Sequence, residues 1–138
     1  VKRKVPKYKY NSILLVDDNE LDNFINEKIL EANQFSKKNY ICTSAKSAIE
    51  FLNNILEMGE GYTEAYPEVI FVDLNMPLMD GFQFIDYFMK NLSKKLKDPK
   101  IVILTSSVFP KDASIAASIS KDIIFLNKPL TQLDLVSL

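Results

Sequence analysis

Asp17, Asp18, Asp73, Thr105 and Lys128 lie far apart in this sequence, yet each stands at or just beyond the end of a short apolar run. Asp17 and Asp18 follow SILLV, Asp73 follows VIFV, Thr105 follows KIVIL, and Lys128 comes just after IIFL. If the runs are strands of one parallel sheet, all five side chains reach the same edge, where open sheets of this kind bind their ligands. Three carboxylates brought together repel one another and raise each other's pKa. A hard divalent cation relieves that repulsion, and Mg2+ suits a site with one or two carboxylates, waters and a phosphate. A carboxylate can also accept a phosphoryl group covalently. Lys128 by charge and Thr105 by its hydroxyl could then hold the phosphoryl oxygens. These are the parts for phosphoryl transfer.

Taken singly, each part has a plainer reading. An acid at a strand end is usually a turn former or a helix cap, and paired acids are usually solvated. Thr105 alone is a strand-end hydroxyl, and a lysine before a proline is ordinarily on the surface. Their placement at the ends of successive strands is what favours a site.

The elements that must position them can be read in order. Ser12–Val16 is the first expected strand, and Asn19 caps a helix running to about Asn33, with Leu21, Phe24, Ile25, Ile29 and Ala32 as its apolar stripe. Lys38–Thr43 is a second strand. Ser44 caps a second helix whose inward residues are Ala45, Ala48, Ile49, Leu52, Ile55 and Leu56. Residues 59–67, GEGYTEAYP, break the pattern and predict an exposed loop. Val69–Val72 has the unbroken apolarity of a strand buried on both faces. Gly81–Lys94 is a third helix, with Phe82, Ile85, Phe88, Met89 and Leu92 inward. Lys100–Leu104 is a fourth strand, residues 111–120 a weaker helix, Ile123–Leu126 a fifth strand, and Thr131 caps a final stretch to Leu138. The βαβαβαβαβα order predicts an α/β fold, a five-stranded parallel sheet with helices on both faces.

The motifs LLVDDN (14–19), FVDLNMPLMDG (71–81), ILTSS (103–107) and NKPL (127–130) resemble those of receiver domains of two-component response regulators, over about Ser12 to Thr131. The resemblance implies a flavodoxin-like doubly wound sheet of strand order 2-1-3-4-5. It implies that Asp73 is the phosphoacceptor and that Asp17 and Asp18 organise Mg2+, with Asp18, Asp73 and the backbone carbonyl of Asn75 as direct ligands. Thr105 is then the switch hydroxyl, Lys128 the phosphate-binding lysine, and the Lys128–Pro129 bond cis. Phe125 takes the switch-aromatic position with no hydroxyl to bond; an ordinary core phenylalanine is the other reading. In receivers, movement of the hydroxyl and the aromatic remodels the face formed by helix four, strand five and helix five. Asn75 and Ser107 are expected to shape water access to the acyl phosphate, and so its lifetime.

The chain has 138 residues, enough for one domain that buries roughly 65–70% of its unfolded surface. Nearly half of it is apolar, which argues against a disordered chain. Its near-neutral charge hides an asymmetry: Lys2, Arg3, Lys4, Lys7 and Lys9 are five of 17 cations, and the remainder carries 12 cations against 18 acids. Residues 1–11 therefore read as a basic segment, most simply a solvated tail, and 12–138 as the receiver domain. The acidic body argues against nucleic acid as the main ligand. One cysteine, Cys42, precludes an internal disulfide, and no apolar run is long enough to span a membrane; a cytoplasmic location is expected.

The chain contains no histidine. A phosphoryl group on Asp73 must therefore come from a partner, a histidine kinase or a histidine phosphotransfer protein. Output is expected through contacts with a downstream protein, by a monomer or a phosphorylation-dependent dimer. A phosphatase of the haloacid dehalogenase type is disfavoured, since its general acid stands two residues after the nucleophile, where this chain has Asn75. A receiver-like module that is never phosphorylated is disfavoured because all the acids and the lysine are present.

Overall fold

The computed structural model describes residues 7–106 and 109–138. Five strands, β1 (Tyr10–Val16), β2 (Ser36–Cys42), β3 (Val69–Val72), β4 (Lys100–Thr105) and β5 (Ile124–Asn127), form one sheet of order β2-β1-β3-β4-β5. Every pairing is parallel. This is the flavodoxin-like order that the resemblance implies. The helices are α1 (Glu20–Ala32), α2 (Ala45–Glu57), α3 (Gly81–Asn91), α4 (Pro110–Ile119) and α5 (Gln132–Ser137).

Alternation along the strands builds two cores. Leu14, Val16, Ile70, Val72, Ile101 and Ile103 point to the side covered by α2, α3 and α4, where Leu52, Phe84 and Phe88 meet them. Ile13, Leu15, Val69, Phe71, Val102 and Leu104 point to the other side and pack with Leu30 of α1 and Leu135 of α5. Successive strand side chains face opposite ways, so a central strand with a helical layer on each side must be apolar throughout. The register then sets the site: Val16 lies beside Val72, Val72 beside Ile103, and Thr105 beside Asn127. The residues after these strands meet at one edge.

Several boundaries differ from the sequence reading. β1 begins at Tyr10, two residues before Ser12, and β2 at Ser36, because Tyr10 ladders with Ser36 and packs its ring on Phe35. The expected loop at 59–67 contains a 3-10 helix, Glu60–Ala65, with no buried residue. α3 stops at Asn91, and β4 extends one residue to include Thr105. α4 begins at Pro110, and β5 is shifted by one residue to Ile124–Asn127. The caps agree: Asn19, Ser44 and Thr131 each accept a backbone N–H with their side chains.

The apolar stripe of α1 is corrected. Leu21, Phe24, Ile25 and Ala32 are exposed and Ile29 is half-buried, whereas Asn23, Asn26 and Leu30 are buried. The helix is rotated because the two amides serve strand ends. Asn23 donates to the carbonyl of Asp17 at 2.8 Å, and Asn26 accepts the N–H of Leu130 at 3.0 Å. Buried backbone groups left without such partners cost more than a half-exposed apolar stripe. On α3, Phe84 is also fully buried, while Phe82 and Met89 are only partly so.

Candidate functional site

Asp73 leaves β3 with its N–H bonded to the carbonyl of Val16 at 2.9 Å, and Asp17 leaves β1 bonded likewise to Cys42 at 3.1 Å. The ladder therefore continues one residue past the strands and fixes both acids at their backbones. Both side chains are buried, while Asp18 faces solvent. One carboxylate oxygen from each of Asp17, Asp18 and Asp73 lies within 4.8 Å of the others. Two buried anions and one open to water suit a hard cation that keeps part of its hydration shell.

Lys128 reaches this cluster from the end of β5. Its N–H donates to the carbonyl of Thr105 at 2.9 Å, tying the β5 end to the β4 end, and the following Pro129 peptide is cis. The ammonium lies 2.5 Å from Asp17 Oδ2, 2.9 Å from Asp22 Oδ2 and 3.5 Å from Asp73 Oδ1, with the lysine side chain only 10% exposed. Asp17 uses its other oxygen to accept the N–H of Asn19 at 2.9 Å.

Charge and burial act on these groups in opposite senses. Burial pushes the Asp73 carboxyl up to about 6, the nearby Asp17 charge adds to the rise, and Lys128 together with the N–H of Asn75 only partly offsets it. For Lys128, burial works against the ammonium, but its bonds to Asp17 and Asp22 and the charge of Asp73 outweigh that and raise its pKa. At Asp73, burial and the neighbouring Asp17 together outweigh the positive charge that Lys128 brings.

The turn from β3 to α3 leaves room only for glycine at its end. Gly81 donates to the carbonyl of Leu74 at 3.0 Å. A Cβ there would collide with the backbone carbonyl of Asp73 and stand 2.8 Å from the Cα of Leu74. Asp80 and Gln83 then cap α3 reciprocally, at 2.8 and 3.0 Å. Leu78 in the same turn is fully exposed, at a φ of 69°.

The structure brings Asp17, Asp18, Asp73 and Lys128 together. Thr105 is fully buried at the end of β4. Asn75 is exposed and directs its N–H to the Asp73 carboxylate. Phe125 stands beside Ile103 on β5, half-buried against the α2–α4 core. Ser107 lies outside the described residues. Sequence reasoning missed Asp22, Asn23 and Asn26 as residues of the site. Their signal was present: polar residues at 22, 23 and 26 share one side of the helix that directly follows the acidic pair.

The model of the response regulator receiver domain matches residues 13–138. Response regulator Rcp1 of Synechocystis sp. is 30% identical over 95 residues, 69% of this chain and 61% of that protein. Hybrid signal transduction histidine kinase L of Dictyostelium discoideum is 25% identical over 132 residues, 94% of this chain. The match spans only 7% of that kinase. A two component response regulator from Cytophaga hutchinsonii superimposes with a TM-score of 0.82 at 30% identity, covering 94% of this chain and 93% of that one.

Proposed function

This chain belongs to the response regulator receiver family, and on that premise we propose that it is a switch set by a phosphoryl group on Asp73, received from a partner phosphohistidine. The observation that carries this reading is the ammonium of Lys128 lying 3.5 Å from a buried Asp73 within a cluster of three acids. An Asp73 oxygen attacks the phosphorus, the P–N bond to the partner's imidazole breaks, and the imidazole leaves with the bond's electron pair and takes up a proton. The product is an acyl phosphate on Asp73.

The chain's own groups hold the reactants. The ladder bond from Asp73 to Val16 fixes the nucleophile's backbone. Lys128 and the Thr105 hydroxyl take the phosphoryl oxygens, by charge and by hydrogen bond. Asp17, Asp18, Asp73 and the carbonyl of Asn75 would hold Mg2+, which when bound draws phosphoryl oxygens in and offsets their charge. Water attacking the same acyl phosphate resets the switch slowly, with Asn75 governing its access.

Output runs through packing. As Thr105 moves toward the phosphoryl group, the half-buried Phe125 ring turns into the space beside it, and the face formed by α4, β5 and α5 changes shape. That face binds a downstream protein, and the switch works in the cytoplasm without nucleic acid as its main ligand. Among the described residues no helix is long and apolar enough to cross a membrane. Incubation with a phosphorylated histidine kinase domain tests the donor: the label should pass to this chain and be absent from Asp73→Asn. Transfer to that variant contradicts the assignment.

A further inference from the structure

The acid that holds Lys128 from outside the cluster is Asp22. An ammonium has three N–H donors, and here it faces three carboxylates, with the phosphoacceptor the farthest of them. Asp17 and Asp73 both belong to the group that could hold a cation, whereas Asp22 does not. Asp22 sits in the first turn of α1, its N–H bonded to the Asn19 side chain at 2.9 Å, so its backbone is fixed. Its carboxylate is 33% exposed, against 6% for Asp17. The pair opens onto a cleft of about 260 Å3 lined by Asp22, Ile25, Asn26, Ser106, Lys128 and Pro129.

The geometry points to Asp22 as a positioning residue, a releasable tether that holds the Lys128 ammonium off Asp73 until a phosphoryl group competes for it. All three donors face acids, so a bond to a phosphoryl oxygen must replace one already present. The bond to Asp22 is the one most easily given up, because that carboxylate can rehydrate through the cleft while Asp17 stays buried. Asp22 thus sets how readily Lys128 turns to the phosphoryl oxygens, without touching them itself. This inference rests on the phosphoacceptor reading of Asp73.

The test uses beryllium fluoride with Mg2+ as the phosphoryl probe, with binding followed by 19F NMR or calorimetry. Asp22→Asn keeps the shape and removes the charge, and should bind the probe about fivefold more tightly, the scale expected for a partly exposed ion pair. Asp22→Glu should return the affinity toward that of the parent. In a Lys128→Gln background, Asp22→Asn should have no effect. Unchanged or weaker binding by Asp22→Asn overturns the inference, as does equal tightening with and without Lys128, which would mean simple charge repulsion. Failure of the parent protein to bind the probe overturns the phosphoacceptor reading and this inference with it.

Discussion

Gly81 lies so close to Asp73 that a Cβ on the glycine would collide with the backbone carbonyl of that aspartate. The motif MDG therefore joins the site to α3 through a backbone contact, with the glycine required by space. Gly81→Ala should push the Asp73 backbone or the first turn of α3 aside. We expect a loss of about 2 kcal/mol of stability, together with slower phosphorylation of Asp73. Chemical denaturation and small-donor labelling measure the two effects, and a variant unchanged in both contradicts the contact.

Asp73 also makes stability depend on pH. Its folded pKa, about 6, lies above the ordinary 3.8. A carboxyl raised in this way contributes stability that is fully present below about pH 4 and is lost as pH rises through about 6. For the cation-free protein this amounts to on the order of 2–3 kcal/mol, absent from Asp73→Asn. The stability of the variant relative to the parent should therefore increase as pH rises from 4 to 7. Added Mg2+ should stabilise the parent more at pH 7.5 than at pH 5, where Asp73 is protonated. Denaturation curves at pH 4 and 7 check the first statement, and curves at pH 5 and 7.5 with and without Mg2+ check the second.

Asp18 is exposed and belongs to the acidic cluster. Asp18→Ala should leave the fold intact and weaken Mg2+ binding by at least tenfold, the usual scale for disturbing a metal site. Calorimetric titration decides this, and unchanged affinity removes Asp18 from the ligand set.

Asn26 accepts the N–H of Leu130, just past the cis Lys128–Pro129 bond. Asn26→Ala strands that buried donor and should cost about 1–3 kcal/mol. Phe24→Ser on the outer face of the same helix should change stability by less than about 0.5 kcal/mol. Urea denaturation of the two variants tests the observed rotation of α1 directly.

That rotation also shows where sequence reading succeeds and where it fails. The strands were legible because VIFV and IVIL are apolar on both faces, and the five site side chains because each stands at or just beyond the end of an apolar run. The α1 stripe misled because Leu21, Phe24 and Ile25 are apolar at helical spacing yet exposed, while the buried positions hold two asparagines. Hydrogen bonding at the strand ends won over hydrophobic pattern there, and such conflicts gather near functional sites. The start of β1 was missed because Tyr10 and Asn11 are half-polar and acquire strand geometry only through pairing with β2. Asp22 was hidden for a related reason: its link to Lys128 crosses 106 positions.

The most direct test of the central claim is the intact mass of the protein after incubation with acetyl phosphate or phosphoramidate, with and without Mg2+. A single phosphate adduct that requires Mg2+ and is absent from Asp73→Asn is the predicted result. No adduct in a folded protein that binds Mg2+, or an adduct that persists in Asp73→Asn, would contradict it.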